Sequence, residues 1–293
     1  MEHAHRRDTC DACDKRREVR VREGMIDSHC HLDVGAFDAD RAAALARAAA
    51  AGVRGVLVPA IRPSTWPALA AMASADTAGA GARPAIAIAL GVHPQVVPEL
   101  DEQERAATRD LTAALSAART VAMVAIGECG LDGATGAHDE QERIFRAHLR
   151  AARELRLPVV VHVLRAHDAA PRILREEQVG DVGGVLHSYS GPPELVPVYR
   201  DLGLHFSFAG PVSWENARKP LAACRAVPAD RLLAETDAPD QAPSPHRGGR
   251  SEPAFVAAVI AGMARARGSS PDEVAALTTA NARRLFGPRL GVP

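Results

Sequence analysis

The chain has 293 residues, enough to bury a sizeable core in one large domain or two small ones. Its 35 Lys and Arg residues nearly balance its 36 Asp and Glu residues, giving a net charge of -1. This balance excludes a protein held to nucleic acid by bulk positive charge. No apolar run of roughly 18 residues occurs, so no transmembrane helix and no membrane partner are predicted.

The first 24 residues are polar and charged and lack the apolar segment of a secretory signal. We expect residues 1–24 to be a disordered leader, or to precede the true start of the protein at Met25. The five cysteines are an odd number and are scattered, which favours reduced thiols. Together these features predict a cytoplasmic protein.

From residue 25 onward, short apolar runs alternate with segments of helical spacing. The predicted strands contain, in chain order, residues 25–26, 55–58, 85–90, 121–126, 158–161, 184–186, 204–208 and 231–234. The clearest predicted helices are Asp139–Leu155 and the terminal Pro271–Phe286. Buried strands separated by helices predict an α/β fold, a (β/α)8 TIM barrel over residues 25–290, forming a single domain with an extra C-terminal helix. The rival, a doubly wound open sheet, needs a glycine-rich first turn that the sequence lacks.

Polar side chains follow most of these strands, where a barrel presents its active-site face. His29 and His31 follow the first strand, and the alternation of an extended chain puts both on one side. The other strand-end candidates are Glu128 after the fourth strand, His162 at the end of the fifth, His187 at the end of the sixth and Asp237 at the end of the eighth. Their recurrence at strand ends predicts a divalent metal site.

Imidazoles and carboxylates without thiolates suit Zn, Mg, Mn, Fe or Ni and do not select among them. Four histidines and two carboxylates are enough for two ions with a bridging carboxylate, an arrangement that holds the attacking and leaving oxygens in a displacement at phosphorus. Many two-metal barrel hydrolases use a carboxylated lysine as the bridge. Lys15 and Lys219 are the only lysines, and neither ends a predicted strand, so Glu128 is the predicted bridge.

Eight ordered motifs resemble the TatD family of metal-dependent deoxyribonucleases, within the amidohydrolase-type barrel superfamily. The motifs are Ile-Asp-Ser-His-Cys-His-Leu-Asp (26–33), Gly-Val-His-Pro (91–94), Ile-Gly-Glu-Cys-Gly-Leu-Asp (126–132), Leu-Pro-Val-Val-Val-His (157–162), Leu-His-Ser-Tyr-Ser-Gly (186–191), Glu-Thr-Asp-Ala-Pro (235–239), Arg-Gly-Gly-Arg-Ser-Glu-Pro (247–253) and Asn-Ala-Arg-Arg-Leu-Phe-Gly (281–287). The resemblance runs from about residue 25 to 287, essentially the whole predicted barrel.

The resemblance implies a role for each matching position. His29 and His31 would bind a first metal, Glu128 would bridge to a second, and His162 and His187 would bind that second metal. Asp237 would contact the first metal and hold, or accept a proton from, the attacking water.

The resemblance also implies contacts with substrate phosphate. His93 stands where the family places a phosphate-contacting histidine, and Arg165 lies just past the fifth strand. Arg247 is expected near the substrate, whereas Arg250 is expected to pair with Glu252 and shape the loop after the last strand.

The function implied is a 3′–5′ exonuclease-like deoxyribonuclease that cleaves phosphodiester bonds with a metal-activated water, acts preferably on single-stranded DNA and is a monomer. The alternative is a small-molecule hydrolase of the same superfamily, acting on an amide, lactone or phosphoester. A non-catalytic scaffold is disfavoured because the ligand set is complete. A strand-binding groove should carry stacking aromatics, and Trp66, Tyr189 and Trp214 are the candidates near loops.

Overall fold

The computed structural model describes residues 24–75 and 83–290. The expected leader, residues 1–24, lies outside these ranges except for Gly24, so it stays a prediction. Within the described ranges, no helix combines the length and the apolar character needed to cross a membrane.

Eight parallel strands, each hydrogen-bonded to the next in chain order, form one sheet. They are β1 (Met25–Asp27), β2 (Val53–Pro59), β3 (Ala85–Leu90), β4 (Met123–Asp132), β5 (Val159–Leu164), β6 (Gly184–Leu186), β7 (Leu204–Phe208) and β8 (Leu232–Ala234). The first and last strands also meet, because Ser28 N donates to Ala234 O at 3.0 Å and Cys30 forms a parallel bridge with Ala238. The sheet therefore closes on itself, which confirms the predicted (β/α)8 barrel.

Helices alternate with the strands and surround them. They are α1 (Arg41–Ala50), α2 (Trp66–Ala75), α3 (Glu102–Arg109), α4 (Leu111–Ala117), α5 (His138–Leu155), α6 (Ala170–Glu176), α7 (Val196–Asp201), α8 (Arg218–Ala226), α9 (Val256–Arg267) and α10 (Pro271–Phe286). Both helices named from the sequence are confirmed, and α5 begins one residue earlier than expected. A capping box between Ser270 and Glu273 fixes the start of α10.

The amino ends of the strands are covered by α10, and we call this end the barrel floor. Phe286 and Ala282 of α10 lie in one buried apolar cluster with residues from inside the barrel. Asn281 Nδ2 also donates to Ala229 O at 2.8 Å and to Leu232 O at 3.0 Å. The extra helix thus seals the floor, and the opposite end, the barrel mouth, is left for the site.

Two strands run further than their apolar runs indicate. β4 continues to Asp132 and β5 to Leu164, so Glu128 and His162 both lie within strands. The expectation that Glu128 follows its strand is wrong, and His162, expected at the end of its strand, lies two residues before that end. The apolar run marks only the part of each strand that is buried in the barrel wall, whereas backbone pairing persists into the polar part.

Glycines explain how β4 continues through its polar end. The register with β5 shifts between Ile126 and Cys129, and Gly127 and Gly130 have φ angles of +138° and +143°. Side chains rarely allow such angles, and a Cβ at Gly127 would also lie 2.5 Å from Val160 O. These glycines give β4 its irregular course on both sides of Glu128.

Candidate metal centre

The end of β1 brings two imidazoles together. His29 Nε2 and His31 Nε2 lie 3.2 Å apart, as the alternation of the extended chain predicted. Asp27 holds the backbone on which they sit, because its carboxylate accepts hydrogen bonds from His29 N at 3.3 Å and from Thr236 N at 2.9 Å. The hydroxyl of Thr236 donates to the same carboxylate at 2.6 Å. Asp27 therefore joins the ends of β1 and β8 beneath the histidines.

Glu128 lies at the centre of the barrel mouth and is fully buried. Its Oε1 is 2.7 Å from His187 Nε2, 3.0 Å from His93 Nε2 and 3.1 Å from His162 Nδ1. Its Oε2 is 3.1 Å from His29 Nε2 and 3.5 Å from His31 Nε2. One carboxylate thus faces imidazoles supplied by β5 and by the segments after β1, β3 and β6.

Two histidines form the other side of this cluster. His162 Nδ1 lies 3.0 Å from His187 Nε2, and both face Glu128 Oε1. Their remaining nitrogens approach carboxylates, since His162 Nε2 is 3.5 Å from Asp132 Oδ2 and His187 Nδ1 is 3.7 Å from Glu235 Oε1. A carboxylate behind an imidazole fixes the orientation of a metal-binding ring.

Asp237 completes the cluster from the loop after β8. Its Oδ1 lies 3.5 Å from His29 Nε2 and 3.8 Å from His31 Nε2. Its other oxygen, Oδ2, accepts a short hydrogen bond from the side-chain amide of Gln241. The amide therefore holds the carboxylate so that Oδ1 is directed at the histidine pair.

The arrangement fits divalent cations better than it fits hydrogen bonds alone. Glu128 Oε2 makes no hydrogen bond although His29 Nε2 is only 3.1 Å away, so the angle between the groups is unsuitable for sharing a proton. Ligand atoms within 4.8 Å of one another form these groups: His29, Glu128 and His187; His29, His31 and Asp237; His93, Glu128 and His162.

The pKa shifts of these residues also favour a cation site. Burial opposes charge on Glu128, but the neighbouring histidines, His187 and His93 foremost, outweigh it and hold its pKa well below the usual range. Burial, together with the proximity of His29, lowers the pKa of His31 to about 3, so His31 is neutral and its nitrogen is free to bind a metal. Burial raises the pKa of Asp237, although His187 and His29 oppose this effect.

His187 reveals how much negative charge the cluster holds. Burial disfavours its protonation, but the Glu128 carboxylate outweighs burial and raises the pKa of His187 well above its ordinary value. The Glu128 carboxylate thus stabilises the protonated form of His187. The same negative charge attracts a metal ion, so a proton and a metal ion compete for this position.

The residues expected to contact phosphate differ in position. His93 lies within the cluster itself, 3.0 Å from Glu128 Oε1, and its Nδ1 caps the following turn by accepting from Gln95 N at 3.1 Å. Arg165 is exposed just past β5 and borders a cavity of about 270 Å³. Arg247 is exposed on the loop after β8, with its guanidinium 4.3 Å from the centre of the Trp214 ring.

Arg250 forms its closest ion pair with Asp40. The Nη1 and Nη2 atoms of Arg250 donate to Asp40 at 2.7 and 2.8 Å, whereas Glu252 is 3.8 Å away. The expected pair with Glu252 is therefore a secondary contact. Arg47 is the closer partner of Glu252, at 2.6 Å. Arg250 still shapes its loop, but it does so by tying the loop to the start of α1.

Sequence reasoning missed the residues that support the cluster. Gln241 lies four positions after Asp237 and also exchanges hydrogen bonds with Ser188 at 2.8 and 2.9 Å. Gln95 Nε2 donates to Asp132 Oδ2 at 2.7 Å, beside His162. Asp132 could have been found, because it ends the motif at residues 126–132 that also contains Glu128. No local pattern indicates Gln241, whose position depends on a turn with a positive φ at residue 241.

Several known proteins are similar to this chain over most of its length. The family model described as TatD related DNase matches residues 26–287. The uncharacterized metal-dependent hydrolase YcfH of Escherichia coli (strain K12) is 38% identical over 267 residues, 89% of this chain and 95% of that protein. The 3'-5' ssDNA/RNA exonuclease TatD of Rahnella sp. (strain Y9602) is 33% identical over 270 residues, 89% of this chain and 98% of that protein. The crystal structure of YjjV, a TatD homologue from Escherichia coli K12, is 30% identical with a TM-score of 0.80, covering 89% of this chain and 97% of that one.

Proposed function

The chain belongs to the TatD family of metal-dependent hydrolases, and on that premise we propose that it is a 3′–5′ exonuclease acting on single-stranded DNA. The observation that carries the proposal is the convergence of histidines from four strand ends and Asp237 on the buried Glu128. The Rahnella relative is named for exonuclease activity on single-stranded DNA and RNA, which supports a nucleic-acid substrate.

We propose that two divalent ions bind here, with Glu128 between them. His29, His31 and Asp237 would hold one ion, and His162 and His187 the other. His93 lies close to Glu128, so it would be available to bind either the second ion or a substrate phosphate. When bound, such ions lower the pKa of a water and offset the negative charge that develops at phosphorus.

The chain's own residues then have distinct tasks. Asp237, oriented by Gln241, holds the attacking water and takes its proton through Oδ1. Arg165 and Arg247 are exposed at the mouth and contribute positive charge along the path of the strand. A net charge of -1 is compatible with this arrangement, because the positive charge is concentrated in the ions and these side chains.

The test is degradation of 5′-labelled single-stranded DNA by protein freed of metal and reloaded with Mg2+, Mn2+, Zn2+, Fe2+ or Ni2+ in turn. We expect products that shorten from the 3′ end with at least one metal. Asp237→Asn should lower the rate by about 100- to 10,000-fold, the usual contribution of a general base. The matched control is Asp240→Asn, three positions along the same loop and exposed, which should retain activity.

Two results would contradict the nuclease. One is intact DNA with every metal. The other is equal rates for Asp237→Asn and Asp240→Asn. If DNA stays intact while esters, lactones or amides are cleaved in a manner that depends on Asp237, the chain is instead a small-molecule hydrolase of the same superfamily.

We also expect a cytoplasmic monomer. The floor supports the monomer, because α10 covers the apolar interior that would otherwise require a partner. Light scattering of the purified protein would test the oligomeric state, and fractionation of the native host would test the location.

A further inference from the structure

The aromatic candidates from the sequence differ sharply in exposure. Trp66 is 5% exposed and its Nε1 donates to Gly91 O at 3.0 Å. Tyr189 is 3% exposed and packs against Phe206. Both belong to the core, so the expectation that they stack on a bound strand is wrong. Trp214 remains partly exposed at the mouth.

Trp214 is held firmly in place. It follows the short 3-10 turn Gly210–Ser213 after β7, and its indole Nε1 donates to Ala242 O at 3.1 Å. Ser213 Oγ in turn accepts from Ser244 N at 2.8 Å. The loop after β7 is therefore bonded to the loop after β8 through the indole itself and through the preceding Ser213, and the ring has a fixed orientation.

The same loop leads directly to the candidate metal centre. Ala242 follows Gln241, whose amide holds the Asp237 carboxylate. The six residues from Asp237 to Ala242 are joined by five peptide steps, which span at most about 18 Å even when extended. The loops also touch backbone to backbone, since a Cβ at Gly210 would lie 1.7 Å from Gln241 O. Trp214 thus lies within reach of the nucleotides that flank a phosphate held at Asp237.

Arg247 provides a second planar group at this place. Its guanidinium carbon is 4.3 Å from the centre of the Trp214 ring. Among residues 24–75 and 83–290, no carboxylate or carbonyl accepts a hydrogen bond from Arg247. Arg250, three positions later, is bound to Asp40 at 2.7 Å. Within the part of the chain that the structure describes, the Arg247 guanidinium therefore has no ion-pair partner and contacts the face of the indole.

We propose that the Trp214–Arg247 pair is a stacking subsite for a nucleobase of single-stranded nucleic acid, a proposal that rests on the nuclease function above. The indole and guanidinium offer flat faces to an unstacked base, and the guanidinium N–H groups can also reach its phosphate. Because every base has a π face, the subsite is tolerant of sequence. Because bases in a duplex are already stacked, it favours single strands.

The experiment compares Trp214→Leu and Trp214→Phe on two substrates, a single-stranded oligonucleotide and the same strand with abasic residues at its 3′ end. For the intact strand, Trp214→Leu should raise KM roughly 5- to 150-fold with kcat unchanged, since one base stacked on an aromatic ring contributes about that much. Trp214→Phe keeps a ring and should restore most of the affinity. Arg247→Ala should also raise KM, whereas Arg153→Ala, remote on α5, should not.

The abasic strand is the decisive arm. Wild type should bind it more weakly by the factor that Trp214→Leu loses on the intact strand, and Trp214→Leu should show no further loss. If Trp214→Leu weakens both strands equally, or Trp214→Phe fails to restore affinity, the ring does not contact a base and the proposal is wrong, although the nuclease function stands.

A binding measurement separates this proposal from the catalytic one. Trp66 is buried, so a change in tryptophan emission on adding single-stranded DNA reports on Trp214. Quenching by the intact strand but not by the abasic strand supports the subsite even if no metal restores cleavage. Equal emission with both strands overturns it, whether or not the protein degrades DNA.

Discussion

The two ends of the barrel are built from the same strands but hold opposite kinds of side chain. The floor is closed by apolar groups of α10 and of the strand interiors. The mouth concentrates buried carboxylates and imidazoles, many with atoms that lack a hydrogen-bond partner. Burying polar atoms without partners is costly. The apolar floor therefore supplies stability that allows the mouth to keep a set of groups suited to binding cations.

The largest effect is expected from substitution of Glu128, which lies at the centre of the barrel mouth. Glu128→Gln removes the negative charge that the surrounding histidines share and leaves the size of the side chain unchanged. Activity should fall by about 1000-fold, because several kcal/mol of charge stabilisation is lost. Metal content, measured by mass spectrometry after dialysis, should fall with it. The control is Glu215→Gln, an exposed residue of a mouth loop. Retention of metal and activity by Glu128→Gln would remove Glu128 from the centre.

The complementary change destabilises the barrel floor and leaves the residues of the mouth unaltered. Phe286 is 4% exposed in the floor cluster, so Phe286→Ala leaves a cavity and should lower the free energy of unfolding by about 3–5 kcal/mol. Urea titration measures this. Val121 is 85% exposed, so Val121→Ala should change little. Where Phe286→Ala is still folded, its kcat should equal that of wild type. A kcat that falls along with stability would show that the two ends are not separable.

His148, a buried histidine outside the metal cluster, makes the stability of the protein depend on pH. His148 of α5 is fully buried, its Nδ1 bonded to Ile144 O at 2.7 Å and its Nε2 accepting from Val92 N at 3.0 Å. Burial lowers the pKa of His148 to about 4, so folding favours the neutral ring. Its contribution to stability is complete above the unfolded pKa of about 6.5 and is lost as pH falls toward 4, roughly 3 kcal/mol in all.

The measurement compares the free energy of unfolding of wild type and His148→Gln between pH 7.5 and pH 4.5, both without metal. Glutamine can donate and accept but does not titrate, so the variant should lose less stability in this window. Because all other residues are the same in both proteins, the difference isolates His148. Parallel pH profiles would mean that His148 does not titrate on unfolding.

The smallest effect concerns the support of Asp237. Gln241→Leu removes the amide that holds Asp237 Oδ2, and kcat should fall about 10- to 100-fold with KM nearly unchanged, as for other groups that orient metal-site residues. Ser188→Ala removes only the contact behind Gln241 and should reduce kcat less. Equal kcat values for Gln241→Leu and wild type would show that Asp237 keeps its orientation without the amide.

The strands and several residues of the candidate site can be predicted from local sequence patterns. Apolar runs marked each strand, and the alternation of extended chain put His29 beside His31. The strand-end rule brought His162 and His187 to one face because parallel strands end together. These side chains do meet in the structure, and their roles as ligands remain predictions.

The rest depends on contacts between distant segments. The irregular course of β4 at Gly127 comes from its fit against β5, and no local pattern places His93 next to Glu128. Arg250 pairs with Asp40, 210 positions away, instead of its near neighbour Glu252. Such choices are made by tertiary packing, where many partners compete for one side chain.

The bond between Asp27 and Thr236 has a consequence for the synthesis of the chain. The two residues are 209 positions apart, so their contact forms only after nearly the whole barrel has left the ribosome. A nascent chain carries His29 and His31 early, but it has neither Asp237 nor the β8 end that fixes them. If His29, His31 and Asp237 hold a metal as proposed, that metal site is therefore incomplete until the last strand docks beside the first.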